Sequence, residues 1–432
     1  DFKPDVVIDV RDYWMSAYEG LSPLRRFFHW ILMPTVDSEP QQDPWLDTYL
    51  SADAIFTYSD WGAEVLKKQT SNKVRYIDTA APGVDLSIFK PQDTDYKLRL
   101  RKEFGVPENA LVVGSVMRNQ KRKLIPDLCQ SFAKLLSVCE KKHPDLGERL
   151  YLYLHTSYPD AGWDIPEIIK DYRIANRVLF TYSCKSCKNI AVRKFTGPFI
   201  ACEHCGELSC QFTSVTHGVS SEQLSDIYNL FDCYVQYAIC EGAGMPQVEA
   251  GACGVPIFTV DYSAMIDIIK KLDATPVRIQ TKFKELETKA NRVYPDNDDL
   301  TKKLLNFLLK NNTEKLCMRN KIRKLTFCPK YTTKGLKIRP NLDVGRLRSF
   351  QTNRQSTIQD LADAIYTRTG SCPRGLLDSQ PRPTDLHSEL SAGIDTNPQR
   401  QWCETCRCLR RICEQRIGLS AHPTLFCRML VS

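Results

Sequence analysis

Short apolar runs rich in Val, Ile and aromatic residues alternate with longer runs whose apolar residues recur every three or four positions, and this alternation leaves few folds open. "ALVVGSV" (110–116) predicts a strand and "IPDLCQSFAKLLSVCEKK" (125–142) an amphipathic helix. "RLYLYLHT" (149–156), "IPEIIKDYRI" (165–174) and "RVLFTYS" (177–183) continue the series as strand, helix and strand. It resumes with the helix "SSEQLSDIYNLF" (220–231), where Ser220 or Ser221 stands as cap, and runs on through "DCYVQYA", "PIFTV" and "SAMIDIIKKL". An earlier, shorter series holds "DVVIDV", "AIFTYS" and the helix Asp60–Gln69, with Ser59 or Asp60 as its cap. Strands separated by helices cannot pair as hairpins, so the sheets must be parallel and covered by helices. The expected architecture is α/β, with two Rossmann-like domains in tandem. The polar connector after "KVRYIDTAAPGVDLSIFKP" marks the boundary, near residues 86 to 108.

A chain of 432 residues is long enough for two or three cores. With 42% hydrophobic and 25% charged residues it reads as globular, and its longest apolar runs fall short of a membrane span. The net charge of +8 is carried mostly by the tail, which from Tyr331 has 15 Lys and Arg against 9 Asp and Glu, 13 of them Arg. The main body is nearly neutral, which argues against a nucleic-acid binder. The tail lacks any sustained period, and two readings stay open for 331–432: a disordered Arg-rich extension, or a segment foreign to the fold. The chain begins at Asp1 inside a strand-like run, so the N-terminal domain (1–90) is expected to be incomplete.

The stretch "EGAGMPQVEAGACGVP" (241–256) follows a predicted strand and opens a short helix. Gly242, Ala243 and Gly244 then form the turn at the helix amino end, where backbone N–H groups and the helix dipole favour an anion. Glu241 precedes the turn and Glu249 lies about one helical turn inside. Two carboxylates facing one crevice suit the hydroxyls of a sugar. Cations come from "VMRNQKRK", after the first strand of the same domain, with Arg118, Lys121, Arg122 and Lys123. That is the edge of an open α/β sheet where phosphates bind.

The series is interrupted between 183 and 211 by "CKSC" and "CEHC", which place Cys184, Cys187, Cys202 and Cys205 as two C-x2-C pairs 14 residues apart. The spacing suits a tetrahedral zinc ribbon that projects as a separate unit. Four thiolates close the coordination sphere, so such a zinc is structural. The remaining cysteines of the body read as small core residues of a reducing compartment. In the tail, Cys403, Cys406, Cys408 and Cys413 are too irregularly spaced to assign.

Taken in order, "PGVDLSIFKP", "MRNQKRK", "SSEQLSDIYNLFDCYV" and "EGAGMPQVEAGACGVP" resemble the motif set of family 4 retaining glycosyltransferases of the GT-B fold, over roughly residues 1 to 326. The resemblance implies a nucleotide-sugar donor whose diphosphate meets Arg118 and Lys123. It implies that Glu241 contacts the transferred sugar, that Glu249 holds the ribose, and that the backbone of Gly242, Ala243, Gly244 and Met245 faces the donor. No catalytic metal is implied. The chain departs from the family at Met117, where Gly is usual before the Arg, and in lacking the Gly-rich first loop. It also carries Arg11 and Asp12 where a histidine is usual, which leaves Asp12 as a candidate active-site carboxylate. The acceptor could be a glycan, a lipid or a protein, and the setting cytoplasmic or membrane-peripheral. A catalytically degenerate scaffold whose ribbon binds protein or nucleic acid is the alternative.

Overall fold

The computed structural model describes residues 4–74 and 76–326, which lie within one compact unit. The Arg-rich tail, with Cys403, Cys406, Cys408 and Cys413, lies outside the described residues.

The first layer is a four-stranded parallel sheet ordered as in the sequence: β1 (Val6–Asp9), β2 (His29–Leu32), β3 (Ala54–Thr57) and β4 (Ile77–Thr79). Helices α1 (Tyr13–Leu21), α2 (Asp43–Ser51) and α3 (Asp60–Gln69) make the crossovers. Trp30, Leu32, Tyr49, Ile55 and Leu66 fill its core. The Ser59 hydroxyl accepts from Gly62 N–H at 3.0 Å, fixing the start of α3.

The segment expected as a polar connector is instead helix α4 (Thr94–Phe104), capped by Asp93 and ended by Gly105 in the left-handed conformation at φ 69°. Only Leu100, Arg101 and Phe104 of this helix are buried, so its apolar stripe is too thin to register as a period.

The second sheet has nine strands. β5 (Leu111–Val116), β6 (Leu150–His155) and β7 (Val178–Cys184) run parallel on one side, with α5 (Ile125–Lys142), α6 (Pro144–Arg149) and α7 (Ile165–Asp171) as crossovers. Helix α5 matches its sequence expectation residue for residue. Beyond the insertion, β11 (Cys233–Gln236) returns to the other side of β5, followed outward by β12 (Ile257–Val260) and β13 (Thr275–Val277). Their crossovers are α8 (Ser221–Leu230), α9 (Met245–Ala252) and α10 (Met265–Leu272). Helix α8 opens with a full capping box between Ser220 and Gln223. A hairpin, β14 (Ile279–Lys284) and β15 (Asn291–Pro295), leads to α11 (Asn297–Leu308) and α12 (Asn312–Thr326).

The insertion is not a detached unit. Its strands β8 (Ile190–Arg193), β9 (Phe199–Ile200) and β10 (Cys210–Phe212) join the nine-stranded sheet antiparallel to β7 and to one another. Tyr182, Cys184, Cys202, Cys210 and Phe212 belong to the same core as α5 and α11. Strand β7 runs on past β6 far enough to template two further strands, which is why the ribbon continues the domain's edge.

Candidate functional site

The chain runs outward from β5 in one direction through β6 and β7 and in the other through β11 and β12. Neighbours β5 and β11 thus flank the point where the strand order reverses, and both loops singled out from the sequence leave their carboxyl ends there.

Gly244 caps α9 at φ 75°, and a Cβ there would lie 2.2 Å from Gln247 Nε2. Gly242 approaches the first sheet so closely that a Cβ would come within 2.5 Å of Thr35 Cγ2. Neither position has room for a side chain, so the turn is pressed between its own helix and the other domain. Gln247 is fully buried, and neither its carboxamide nitrogen nor its oxygen has a hydrogen-bond partner.

Glu241 is buried, at 5% exposure, and its carboxylate is heavily partnered. Oε1 takes the Lys123 ammonium and a hydrogen bond from Gln236 Nε2 at 2.7 Å, and Oε2 accepts from Arg122 Nη1 at 3.2 Å. Its backbone N–H donates to Ser263 Oγ at 2.9 Å. Burial alone would raise this carboxyl, but Lys123 and Arg122 outweigh it and hold the group down at about 2. The same burial, with the Arg122 charge beside it, pushes the Lys123 ammonium down despite Glu241. Lys123 and Glu241, expected to meet a donor separately, meet each other in this structure.

Arg118 makes a two-pronged contact with Asp160, at 2.9 and 3.2 Å, and its side chain stays partly exposed. Asn119 exchanges hydrogen bonds with the Trp163 backbone at 2.8 Å in each direction, which locks the 117–124 loop to the 157–163 loop. Glu249 is buried in α9 and accepts from the Tyr228 hydroxyl at 2.8 Å. Asp12 lies three residues beyond the end of β1, at the N-cap position of α1. Burial raises its carboxyl, Thr35 bonds to it, and Asp37 and Arg122 act on it with opposite sign. Asp12 and Glu241 thus both share surroundings with Arg122. Gln236 and Gln247 are the site residues the sequence does not mark, since no local pattern singles out a buried carboxamide. Arg122 stands in the sequence as one of four cations in the loop, with nothing there to set it apart.

The two sheets meet tightly here. The Asp267 carboxylate of α10 accepts from Asp60 N and Trp61 N at 2.6 and 3.3 Å, while Arg292 reaches Asp37 at 3.1 Å. Beside Ala243, between Tyr58 and Lys271, the interface leaves a space of about 10 Å³, about what one water needs.

The four cysteines of the insertion do converge, their sulfurs all lying within 4.8 Å of one another. Cys184 and Cys205 are 3.7 Å apart, and Cys187 and Cys202 3.6 Å. A tetrahedron with Zn–S of about 2.3 Å has edges of about 3.8 Å, whereas a disulfide would need about 2 Å. The two knuckles are alike: Lys188 N–H donates to Cys184 O at 3.1 Å and Gly206 N–H to Cys202 O at 2.8 Å, with φ of 62° and 76°. Cys210 is buried nearby and is not part of the cluster. The donor set fits a metal ion of zinc type.

A doubly wound sheet with this crevice, packed against a second parallel sheet, is the GT-B fold, and residues 211–324 match the family "Glycosyl transferases group 1". Sucrose-phosphate synthase from Thermosynechococcus elongatus superposes with a TM-score of 0.52 at 18% identity, over 82% of this chain and 74% of that one. Anabaena Alr3699/HepE in complex with UDP and glucose superposes with a TM-score of 0.51 at 12% identity, over 74% and 73%. Among curated proteins, D-inositol 3-phosphate glycosyltransferase of Stackebrandtia nassauensis is 28% identical over 210 residues, 48% of this chain and 38% of its own length. D-inositol 3-phosphate glycosyltransferase 2 of Catenulispora acidiphila is 26% identical over 208 residues, 48% of this chain and 40% of its own. The chain therefore spans about two fifths of the curated relatives it matches. Among the described residues no helix is long and apolar enough to cross a membrane.

Proposed function

We propose that the protein transfers a sugar from a nucleotide-sugar donor to an acceptor hydroxyl, with retention of configuration at the anomeric carbon. One observation carries the reading: Arg122, Lys123 and Glu241 converge beside the left-handed Gly244 turn, at the point where the strand order reverses. The anomeric carbon–oxygen bond to the diphosphate breaks and the acceptor oxygen takes its place, its proton passing to the departing diphosphate oxygen. Arg118, Lys123 and the backbone of Gly242, Ala243, Gly244 and Met245 stabilise the charge on the departing diphosphate. Glu241 orients the transferred sugar, and Glu249 receives the ribose hydroxyls. Asp12, raised by burial, faces the reacting centre from the first domain. A donor entering the crevice takes over contacts that Lys123 and Glu241 now give each other. That exchange requires the two sheets to part beside Gly242. The match to the group 1 family and the UDP-bound fold relatives support this reading.

Cys184, Cys187, Cys202 and Cys205 would hold one zinc ion. With all four positions filled by thiolates the ion offers no site to substrate, so its contribution is to the sheet edge.

Thermal-shift titration of the protein with nucleoside diphosphates and nucleotide-sugars tests the function. A ligand at a hundred times its Kd should stabilise by about 2.7 kcal/mol, and Lys123→Ala should remove the response. Silence across the whole panel would favour a binding scaffold over an enzyme.

A further inference from the structure

The end of the nine-stranded sheet opposite the glycine turn carries a second concentration of positive charge. A groove of about 410 Å³ opens there, at the amino ends of β5 and β11. One face of α12 supplies Asn312, Lys315, Leu316 and Arg319, at the three- and four-residue spacing that aligns side chains along a helix. Arg101 of α4 and Arg149 at the end of α6 complete the basic wall, and Phe307 and Leu308 make an apolar floor. Lys97 stands behind Arg101 and shares its counter-ion.

Five cations here face two carboxylates, Asp232 and Glu108. Asp232 is already committed: it accepts from Lys97 and Arg101 at 3.2 Å each and from Val112 N at 2.8 Å. Glu108 sits exposed at the rim. Arg319 is only partly exposed, and among the described residues its guanidinium donates to no protein acceptor. Arg101 Nε is buried without a partner. Burial pushes the Lys97 ammonium down to about 8, Asp232 opposing and the Arg101 and Arg319 charges adding to the fall. Arg149, Lys315 and Arg319 thus line the hollow with no ion pair to a carboxylate among the described residues, a charge balance that favours an anion there.

We infer that this groove binds a phosphorylated small molecule at a site separate from the sugar-donor crevice. Arg149 and Arg319 offer guanidinium N–H groups suited to phosphoryl oxygens, Arg101 being spent on Glu108 O, Leu230 O and Asp232, and Phe307, Leu308 and Leu316 offer apolar surface to the organic part. The six residues of β5 separate the two sites by roughly 20 Å, so neither ligand reaches the other. Helix α12 packs on α9, which opens at the glycine turn, so an occupant here bears on an element of the crevice from behind.

Isothermal titration of the full chain with inorganic pyrophosphate at low salt tests the site. Saturable binding should persist in Arg118→Ala, which disarms only the donor loop, and weaken about tenfold in Arg319→Gln and in Lys315→Gln. Removing an unneutralised charge should leave the melting temperature of ligand-free Arg319→Gln unchanged or higher. Pyrophosphate binding that vanishes in Arg118→Ala and is untouched in both groove variants would overturn the site, as would an absence of saturable binding. A lower melting temperature in Arg319→Gln with full pyrophosphate affinity would assign Arg319 to structure instead, and Lys315→Gln repeats the comparison on the neighbouring turn.

Discussion

Glu241 sits where two cations and an amide are fixed on it before any ligand arrives. Its carboxyl is held at about 2 against an ordinary 4.5. A group whose folded value is depressed stabilises the fold above its unfolded value, and that contribution is lost as pH falls from about 4.5 through about 2. The shift corresponds to about 3 kcal/mol for the carboxylate, from which the desolvated Lys123, itself pushed down, subtracts. Denaturant unfolding between pH 5 and 2 should therefore show a steeper loss of stability in the wild type than in Glu241→Gln. At neutral pH the variant should be less stable by about 3 kcal/mol, because Lys123 remains buried without its counter-charge. Arg118→Ala leaves the Asp160 side chain, itself 5% exposed, with only Ser157 Oγ and Ala161 N as donors, and should cost about 1 kcal/mol or more of stability. It should weaken nucleoside-diphosphate binding by about 1.5 to 3 kcal/mol, read by calorimetry. That Glu241, Arg118 and Lys123 lie in loops at the carboxyl ends of neighbouring strands was legible in the sequence, because glycine turns and basic loops follow directly on strand-like runs. That Lys123 and Glu241 join directly was not, since 118 residues separate them.

At the scale of elements, legibility followed the strength of local signals. Helices α3 and α8 announce themselves by capping residues, and α5 by its well-spaced apolar stripe. Helix α4 does not, and passes for a linker. The C-x2-C spacing points to the cysteine cluster, but strands β8, β9 and β10 hold four, two and three residues, too few for an alternating pattern to reveal their place in the larger sheet. Two outcomes follow. Gly244→Ala forces an L-residue into the left-handed region and its Cβ onto Gln247, so α9 should lose about 1 to 2 kcal/mol or more, with donor affinity falling alongside. Metal analysis should find one zinc per chain, released by Cys184→Ser. Hydrogen exchange should then rise in β8 through β10 and the end of β7, while protection at β5 and β11 and nucleotide binding at Glu241 persist.

For the whole molecule, the meeting of the two sheets decides how freely the crevice can open. Asp267 serves as an acceptor for the first amides of α3, Lys271 reaches Asp60, and Asn291 N–H donates to Glu39 O at 2.8 Å. Asp267→Ala leaves those α3 amides without their acceptor and should widen the molecule in solution scattering. It should also raise the KM for the donor more than it weakens isolated nucleoside diphosphate, because only the complete donor needs both halves. The same accounting of backbone partners bears on the strand that β7 shares between the Rossmann core and the cysteine cluster. Without the knuckles, β8 and β10 keep their pairing with β7 and the packing of Val192 and Phe212, and where they fray the last residues of β7 would present bare amides and carbonyls along an exposed border. A border of that kind recruits strands from other molecules. Metal occupancy would thus govern whether the protein stays dispersed, and chelation should produce self-association before it produces any loss of nucleotide affinity.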